Sequence, residues 1–341
     1  MLLVVTVGLI PFVASLQAAE AKPAGAAPAE SNKLISLADV APELIWAAKR
    51  RLGFYGDANT IKSTDVFKRS YLLGDLNGLR DYMTDNGVFI GGSVTQFLAG
   101  NLTGGLRTSP SPRGNGSGDL WVILDSGRMG LWSGGLLYIR GEAQWSTSVN
   151  GDVGTLLPAN LDAVTPSPTG GNEVALPEVY IVQALPKNFA VTIGKVNWAS
   201  FADTNFFANS ENSQFIYTGL VNNPMLGAFI PYTALSAGLT WVSPNKKHTI
   251  GALFSQTDGT ATSPGFDTLF NGANTYAGFY NFSSAIDGRP GNFQILLNYT
   301  TKNVASFAID RRHLIKQVIG VVPVTRKENN YGVMINIDQY L

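Results

Sequence analysis

The sequence predicts an all-β protein with antiparallel strands, exported from the cytoplasm, and three observations carry that expectation. First, beyond an apolar N-terminal leader, no window reaches the roughly 18 uninterrupted apolar residues of a spanning helix. The chain nonetheless has a mean hydropathy of +0.09 and 37 glycines in 341 residues. Second, several segments alternate apolar and polar residues with a period of two, the spacing that sends neighbouring side chains to opposite faces of a strand. Third, the leader itself has the features of an export signal. A secreted β-sandwich and a membrane β-barrel both fit, because alternation alone does not say whether the apolar face meets a protein core or lipid.

The elements follow in chain order. Residues 1–21 are Leu-, Val-, Ile- and Phe-rich and end on Ala19-Glu20-Ala21, an A-x-A-like cleavage site, although the segment lacks Lys and Arg. It reads as a signal peptide, too short and too polar in its sequel to be a membrane span. Residues 22–71 read as a periplasmic arm. Within it, residues 22–33 form an Ala/Pro-rich linker. Residues 34–52 suit a helix, with Leu44, Ile45, Ala48 and Leu52 apolar and Lys49-Arg50-Arg51 where cations favour the C-terminal dipole. The β domain spans residues 72–341 and opens with a helix over 75–86. Asp75 is its expected N-cap. Leu76, Leu79 and Met83 share one face, and Gly87 ends it before a strand over 88–98.

Residues 135–146 give the clearest strand. Leu137, Ile139, Gly141, Ala143 and Trp145 alternate with Tyr138, Arg140, Glu142, Gln144 and Ser146. Residues 235–241, 293–299 and 331–337 alternate as well, with Leu296 as an exception. Residues 188–196 and 248–256 read as strands less cleanly. About eleven strands are expected after Gly87. Residues 103–118 and 151–172 are Gly-, Pro-, Ser- and Asn-rich and predict long loops, whereas Ser243-Pro244-Asn245-Lys246 predicts a tight turn. Long loops on one rim and tight turns on the other are the outer-membrane barrel pattern. Residues 199–231 lack alternation and are expected to fold inward as a constriction.

Little in the chain points to catalysis. Lys+Arg and Asp+Glu balance at 24 each, which disfavours a nucleic-acid surface, and there is no cysteine for a disulfide, a thiolate metal site or a nucleophile. His248 and His313 are not at metal-ligand spacing. Gly114-Asn115-Gly116-Ser117-Gly118 does not open a helix after a strand, so it is not a phosphate cradle. Asp310-Arg311-Arg312-His313 reads as a polar loop. No nucleophile elbow is present, and neither an enzyme activity nor a cofactor is expected. What remains is a set of side chains suited to sugar hydroxyls and C–H faces: Tyr138, Arg140, Glu142, Gln144, Glu178, Tyr180, Lys195 and Asn197. An Arg or Lys facing hydrocarbon at mid-bilayer costs about 2–4 kcal/mol, so in a barrel this set is expected to face a wet interior. Arg140→Ala is accordingly expected to change conduction and leave the fold intact.

The motif Gly74-Asp75-Leu76-Asn77-Gly78-Leu79-Arg80, followed by Asp85-Asn86-Gly87-Val88, resembles the opening of the carbohydrate-selective OprB-type porins. Leu76 stands where that family has tryptophan, and Asn77 replaces a second glycine. Gln96, Asn101, Gly104 and Gly105 fit its next segment, as do Gly194-Lys195-Val196-Asn197, Phe201-Ala202-Asp203 and Phe207-Ala208-Asn209. The resemblance runs from about Leu72 to the end. It implies an antiparallel transmembrane β-barrel, 16-stranded in the family. It also implies an outer-membrane location and passive diffusion of mono- and small oligosaccharides, with sugars and outer-membrane lipid as partners and a homo-oligomer possible. Against the family the chain reads as truncated at its C-terminus, because no returning strand follows residues 329–341 to pair with residues 88–98. A soluble glycan-binding sandwich is the alternative, and a barrel kept for envelope structure is a third reading.

Overall fold

The computed structural model describes residues 2–6, 71–109, 111–154, 157–167, 171–198, 211, 215–223, 231–305 and 326–339. The expected linker, the helix over 34–52, and the motifs at 201–209 and 310–313 lie outside the described residues. Among those described, no helix is long and apolar enough to cross a membrane, which says nothing of a barrel crossing with strands.

The chain is an up-and-down antiparallel meander. β1 (Leu2–Thr6) lies on the edge of β2 (Val88–Asn101). Then follow β3 (Arg113–Asp125), β4 (Gly135–Ser146), β5 (Glu173–Leu185), β6 (Phe189–Val196), β7 (Ala234–Val242), β8 (His248–Gln256), β9 (Asn274–Ile286) and β10 (Arg289–Thr300). β11 (Val304–Ala305) and β12 (Arg326–Lys327) make a small ribbon, and β13 (Asn330–Gln339) returns beside β10. The large sheet has 11 strands, each paired with its neighbour in sequence order except that β13 follows β10 directly. The expected strands over 88–98, 135–146, 235–241, 248–256, 293–299 and 331–337 all fall within observed strands, and that over 188–196 begins one residue before β6, since Asn188 closes a 3₁₀ turn. A two-layer sandwich does not: the meander is one continuous sheet.

The connections differ sharply between the two ends. β5–β6, β7–β8 and β9–β10 turn within five residues at one rim and β3–β4 within nine, while β2–β3 takes eleven and the β4–β5, β6–β7, β8–β9 and β10–β13 connections are longer still. Asp287 and Gly288 show why the short rim stays tight. With φ of 51° and 74° they form the left-handed pair that matches hairpin twist.

Helix α1 (Leu79–Asp85) is shorter than the expected 75–86. Leu76, Asn77 and Gly78 have φ of 53°, 58° and 88°, so the chain turns left-handed before it can begin the helix. Asp75 therefore does not sit at the N-cap, which is Gly78, although its Oδ1 still accepts from the Asp81 amide at 3.2 Å. Gly87 ends the helix as expected. Its φ is 80°, and a Cβ there would lie 2.7 Å from the Asp125 carbonyl oxygen. The Asp125 amide in turn donates to the Gly87 carbonyl at 2.8 Å, which ties α1 to the short-turn rim.

The Gly-rich run at 114–118 belongs to β3 rather than to the long loop expected over 103–118. Gly116 and Gly118 lie under the Trp145 indole, where a Cβ on Gly116 would meet the ring at 2.7 Å. The missing side chains make room for tryptophan across the strand pair; the polar partners Asn115 and Ser117 point the other way.

Register separates two faces of the sheet. Outward positions are apolar and exposed: Val94, Leu120, Val174, Ile193, Leu297, Val333, Ile335 and Ile337 are between 54% and 80% accessible. At the long-loop end the outward rings of Phe254, Tyr276, Tyr299 and Tyr331 form a row with centroid spacings of 5.5, 6.2 and 5.0 Å. At the short-turn end His248 stacks on Phe282 at 5.1 Å and its Nδ1 meets the Tyr280 hydroxyl at 2.9 Å. Inward positions carry both the apolar cluster of Trp121, Ile123, Leu136, Tyr138, Tyr180, Val182 and Leu296 and a larger polar population. Leu296 thus breaks the alternation because it packs with Met334 on the inner face.

The sheet does not close among the described residues. β13 pairs with β10 and not with β2, whose other neighbours are β3 and, at Phe97–Asn101, β1. An edge strand offers a row of unpaired amides and carbonyls, and Leu2–Thr6, two leucines followed by the β-branched Val4, Val5 and Thr6, fits that template.

Candidate functional site

The polar centre of the inner face is Arg140. It lies mid-strand in β4, opposite Trp121 of β3 and Glu178 of β5. Its Nε donates to Asp119 Oδ1 at 2.8 Å and its Nη1 to Glu178 Oε1 at 2.9 Å. Its Nη2 donates to Glu142 Oε2 at 2.9 Å and to the Tyr232 hydroxyl oxygen at 3.0 Å. The Tyr232 hydroxyl donates in turn to Glu142, so one carboxylate oxygen accepts from two groups. Ser93 Oγ donates to the far oxygen of Asp119 at 3.3 Å. Arg140, Glu142 and Glu178 are all at most 5% accessible. A planar guanidinium can serve three carboxylates at once because its donors diverge in a fixed fork.

Two local features aim these groups. Period-two alternation puts Tyr138, Arg140, Glu142 and Gln144 on one side of β4. On β5 the register slips between Arg140 and Glu142, leaving Leu176 and Pro177 as the irregular stretch. A bulge tolerates proline's missing amide and resets the alternation, so Glu178 and Glu173 both face inward although they are five positions apart.

The long connections pack onto this face. One-turn helix α2 (Asn150–Val153) places Asp152 between Arg113 Nε at 2.5 Å and Arg107 Nη2 at 2.9 Å. The Arg113 hydrogen bond, with both guanidinium charges, holds the Asp152 carboxyl below the usual carboxylate range. Asn101 Nδ2 donates to the carbonyls of Gly104 and Arg107, each at 2.8 Å. A turn of 3₁₀ helix at Asp162–Val164 then rests on β3 and β4. Asp162 accepts from Ser117 Oγ and from Asn115 Nδ2, the latter at 3.2 Å. Gln144 Nε2 donates to the Ala163 carbonyl at 2.5 Å, and Asn160 Nδ2 donates to Asn115 Oδ1 at 3.0 Å. Burial pushes the Asp162 carboxyl up to about 8. Of the expected constricting segment over 199–231, the described part includes α3 (Thr218–Val221), which docks on this loop. Thr218 Oγ1 donates to the Pro158 carbonyl at 2.9 Å, and the Leu161 amide to that of Ile216 at 2.8 Å.

The structure brings Arg140, Glu142 and Glu178 together. It puts Gln144 beside them under the Asp162 loop and stacks Tyr138 on Tyr180 at 4.9 Å nearer the short-turn rim. It does not bring Lys195 to them. Lys195 pairs with Val179 and Leu235, and Val179 pairs with Ile139, so Lys195 is on the outward side. There the β8–β9 loop covers it, and its Nζ donates to the carbonyls of Ala261 at 2.8 Å and Ser263 at 2.6 Å. The expectation that Lys195 faces inward fails because lysine at a rim is accommodated by loop carbonyls, which the strand pattern cannot reveal. Asn197 is buried just beyond the end of β6, outside the Arg140 constellation.

Asp119 and Asp162 were both missed. The signal for Asp119 was present: Arg113, Asn115, Ser117 and Asp119 alternate with residues 114, 116 and 118, but glycine in the outward places hid the period. Tyr232 offered no signal, since it reaches Arg140 from 92 residues away. Among the described residues, no group of three or more His, Asp or Glu could hold a metal ion.

The structure is similar to that of a porin. It superposes on the high-pH structure of Pseudomonas putida OprB with a TM-score of 0.62 and 16% identity. The match covers 80% of this chain and 66% of that one, so the chain spans just under two thirds of its length. The low-pH structure of the same protein also matches, with a TM-score of 0.39, 13% identity and coverage of 70% and 67%. No protein-family model and no curated protein matches the chain. At this identity the likeness establishes the fold, an antiparallel β-sheet of porin type that is open among the described residues.

Proposed function

We propose that the chain works as an outer-membrane channel through which mono- and small oligosaccharides diffuse passively. The observation that carries this reading is the two-sided wall. A soluble protein rarely exposes so continuous an apolar face, whereas a barrel in lipid needs one, rimmed with aromatic residues and backed by a polar interior. The 13 residues of β9, rising about 3.4 Å each and tilted by about 40°, climb roughly 30 Å, enough for an apolar band of about 25 Å. The leader over residues 1–21 supports export.

Sugar preference is supported by the motif resemblance and by the inner-face chemistry. Glu142, Glu178, Gln144 and Asp119 make the inner face polar, and the Tyr138–Tyr180 pair adds aromatic surface beneath it. Many weak contacts suit conduction, which needs a solute to leave as readily as it enters. The test is uptake of glucose and small maltooligosaccharides into liposomes carrying the purified chain. Recovery in the detergent-requiring membrane fraction, with uptake falling as chain length grows, is expected. A chain that stays soluble without detergent, or liposomes that remain sugar-tight, would overturn the reading.

A further inference from the structure

The chain as a whole is neutral, with 24 basic and 24 acidic residues, yet its charges are not evenly placed. On the described strands between the rims, the inward positions hold Asp119, Glu142, Glu173, Glu178 and Asp338, against Arg113 and Arg140. Both cations are already engaged. Arg113 is held by Asp152, and the Nε, Nη1 and Nη2 of Arg140 donate to three carboxylates and a phenol. The remaining strand cation near this region, Lys195, is turned to the outer side and covered by loop carbonyls. An anion entering along this wall would have to displace a carboxylate to reach a guanidinium.

We infer that the passage discriminates by charge, admitting neutral and amino sugars and inorganic cations while rejecting acidic sugars. The inference rests on the channel reading and adds the class of substrate. A narrow path between low-dielectric walls focuses the field of its fixed charges, so an excess of a few carboxylates acts on every solute that passes.

The purified full chain in a planar bilayer, under a roughly tenfold KCl gradient at low ionic strength where screening is weak, should reverse at a potential carried by potassium. The expected potassium-to-chloride permeability ratio is roughly 3 or more. Glu173→Gln combined with Asp338→Asn, which leaves the Arg140 network untouched, should move the ratio toward one. In liposomes, glucosamine should enter several-fold faster than glucuronate, with glucose between them. A conducting channel with a ratio at or below one, or one that passes glucuronate as fast as glucosamine, would overturn the inference while sparing the channel reading. Absence of all conductance and all uptake would overturn both.

Discussion

Removing Arg140 tests whether the inner network is structural as well as functional. Its guanidinium makes three ion pairs at 2.8, 2.9 and 2.9 Å, with side-chain accessibilities of 6% for the arginine and 7%, 2% and 2% for Asp119, Glu142 and Glu178. Arg140→Ala leaves three carboxylates close together without their common cation. Breaking a buried pair by deleting one partner costs about 3–5 kcal/mol, roughly a hundred- to several-thousand-fold in the folding equilibrium. This replaces the sequence-based expectation that Arg140→Ala leaves the fold intact. Arg140→Lys should fall between, since an ammonium keeps the charge but lacks the fork. Arg140→Met with Asp119→Asn, Glu142→Gln and Glu178→Gln should recover most of the loss, because no buried charge is then stranded. Urea titration read by heat-modifiable gel mobility and by tryptophan fluorescence measures all of these. If Arg140→Ala unfolds within about 0.5 kcal/mol of the parent chain, the carboxylates are not depending on the guanidinium and the reasoning fails.

Three further outcomes are expected. Ile139→Arg, one residue away on the outward side of β4, should impair assembly into bilayers by about 2–4 kcal/mol; normal heat-modifiable assembly would show that this face does not meet lipid. Asp162, whose folded value of about 8 lies above its unfolded one, favours the docked loop while protonated. Docking should therefore be strongest at low pH and weaken as pH rises from about 4 through about 8. The neighbouring Glu142, Asp119 and Glu211 reinforce the shift. Proteolysis of the 157–167 segment should accelerate over that window, and Asp162→Asn should flatten the profile. Gly87→Ala should destabilise by at least about 1–2 kcal/mol from its left-handed backbone alone, with the close Asp125 carbonyl adding to it, visible as a lower urea midpoint.

Much of the wall was legible from the chain alone. Alternation over residues 135–146 put Tyr138, Arg140, Glu142 and Gln144 on one side because strand geometry leaves no other choice, and a one-residue slip would have exchanged both faces at once. The same local rule found the tight turn at 243–246, the helix stop at Gly87 and the strand ending the described chain. It failed where the local code was overridden. Glycine in β3 reads as loop until Trp145 from the next strand is seen lying on it. The left-handed Leu76, Asn77 and Gly78 cut back the helix that Asp75 is expected to cap.

What the sequence determined by itself was therefore the all-β class, most of the strands and the division of β4 into an apolar and a polar side. Only the tertiary structure decided which polar groups act together. Asp119, Arg140, Glu178 and Tyr232 come from four separate stretches, and their meeting depends on strand register, on the β5 irregularity at Pro177 and on where the long connections fold. It likewise decided that Lys195 lies outside: pairing with Val179 fixes the side, and the carbonyls that satisfy its ammonium arrive from 66 and 68 residues away. Alternation is a property of neighbours along one strand, whereas a charge network is a property of neighbours across several.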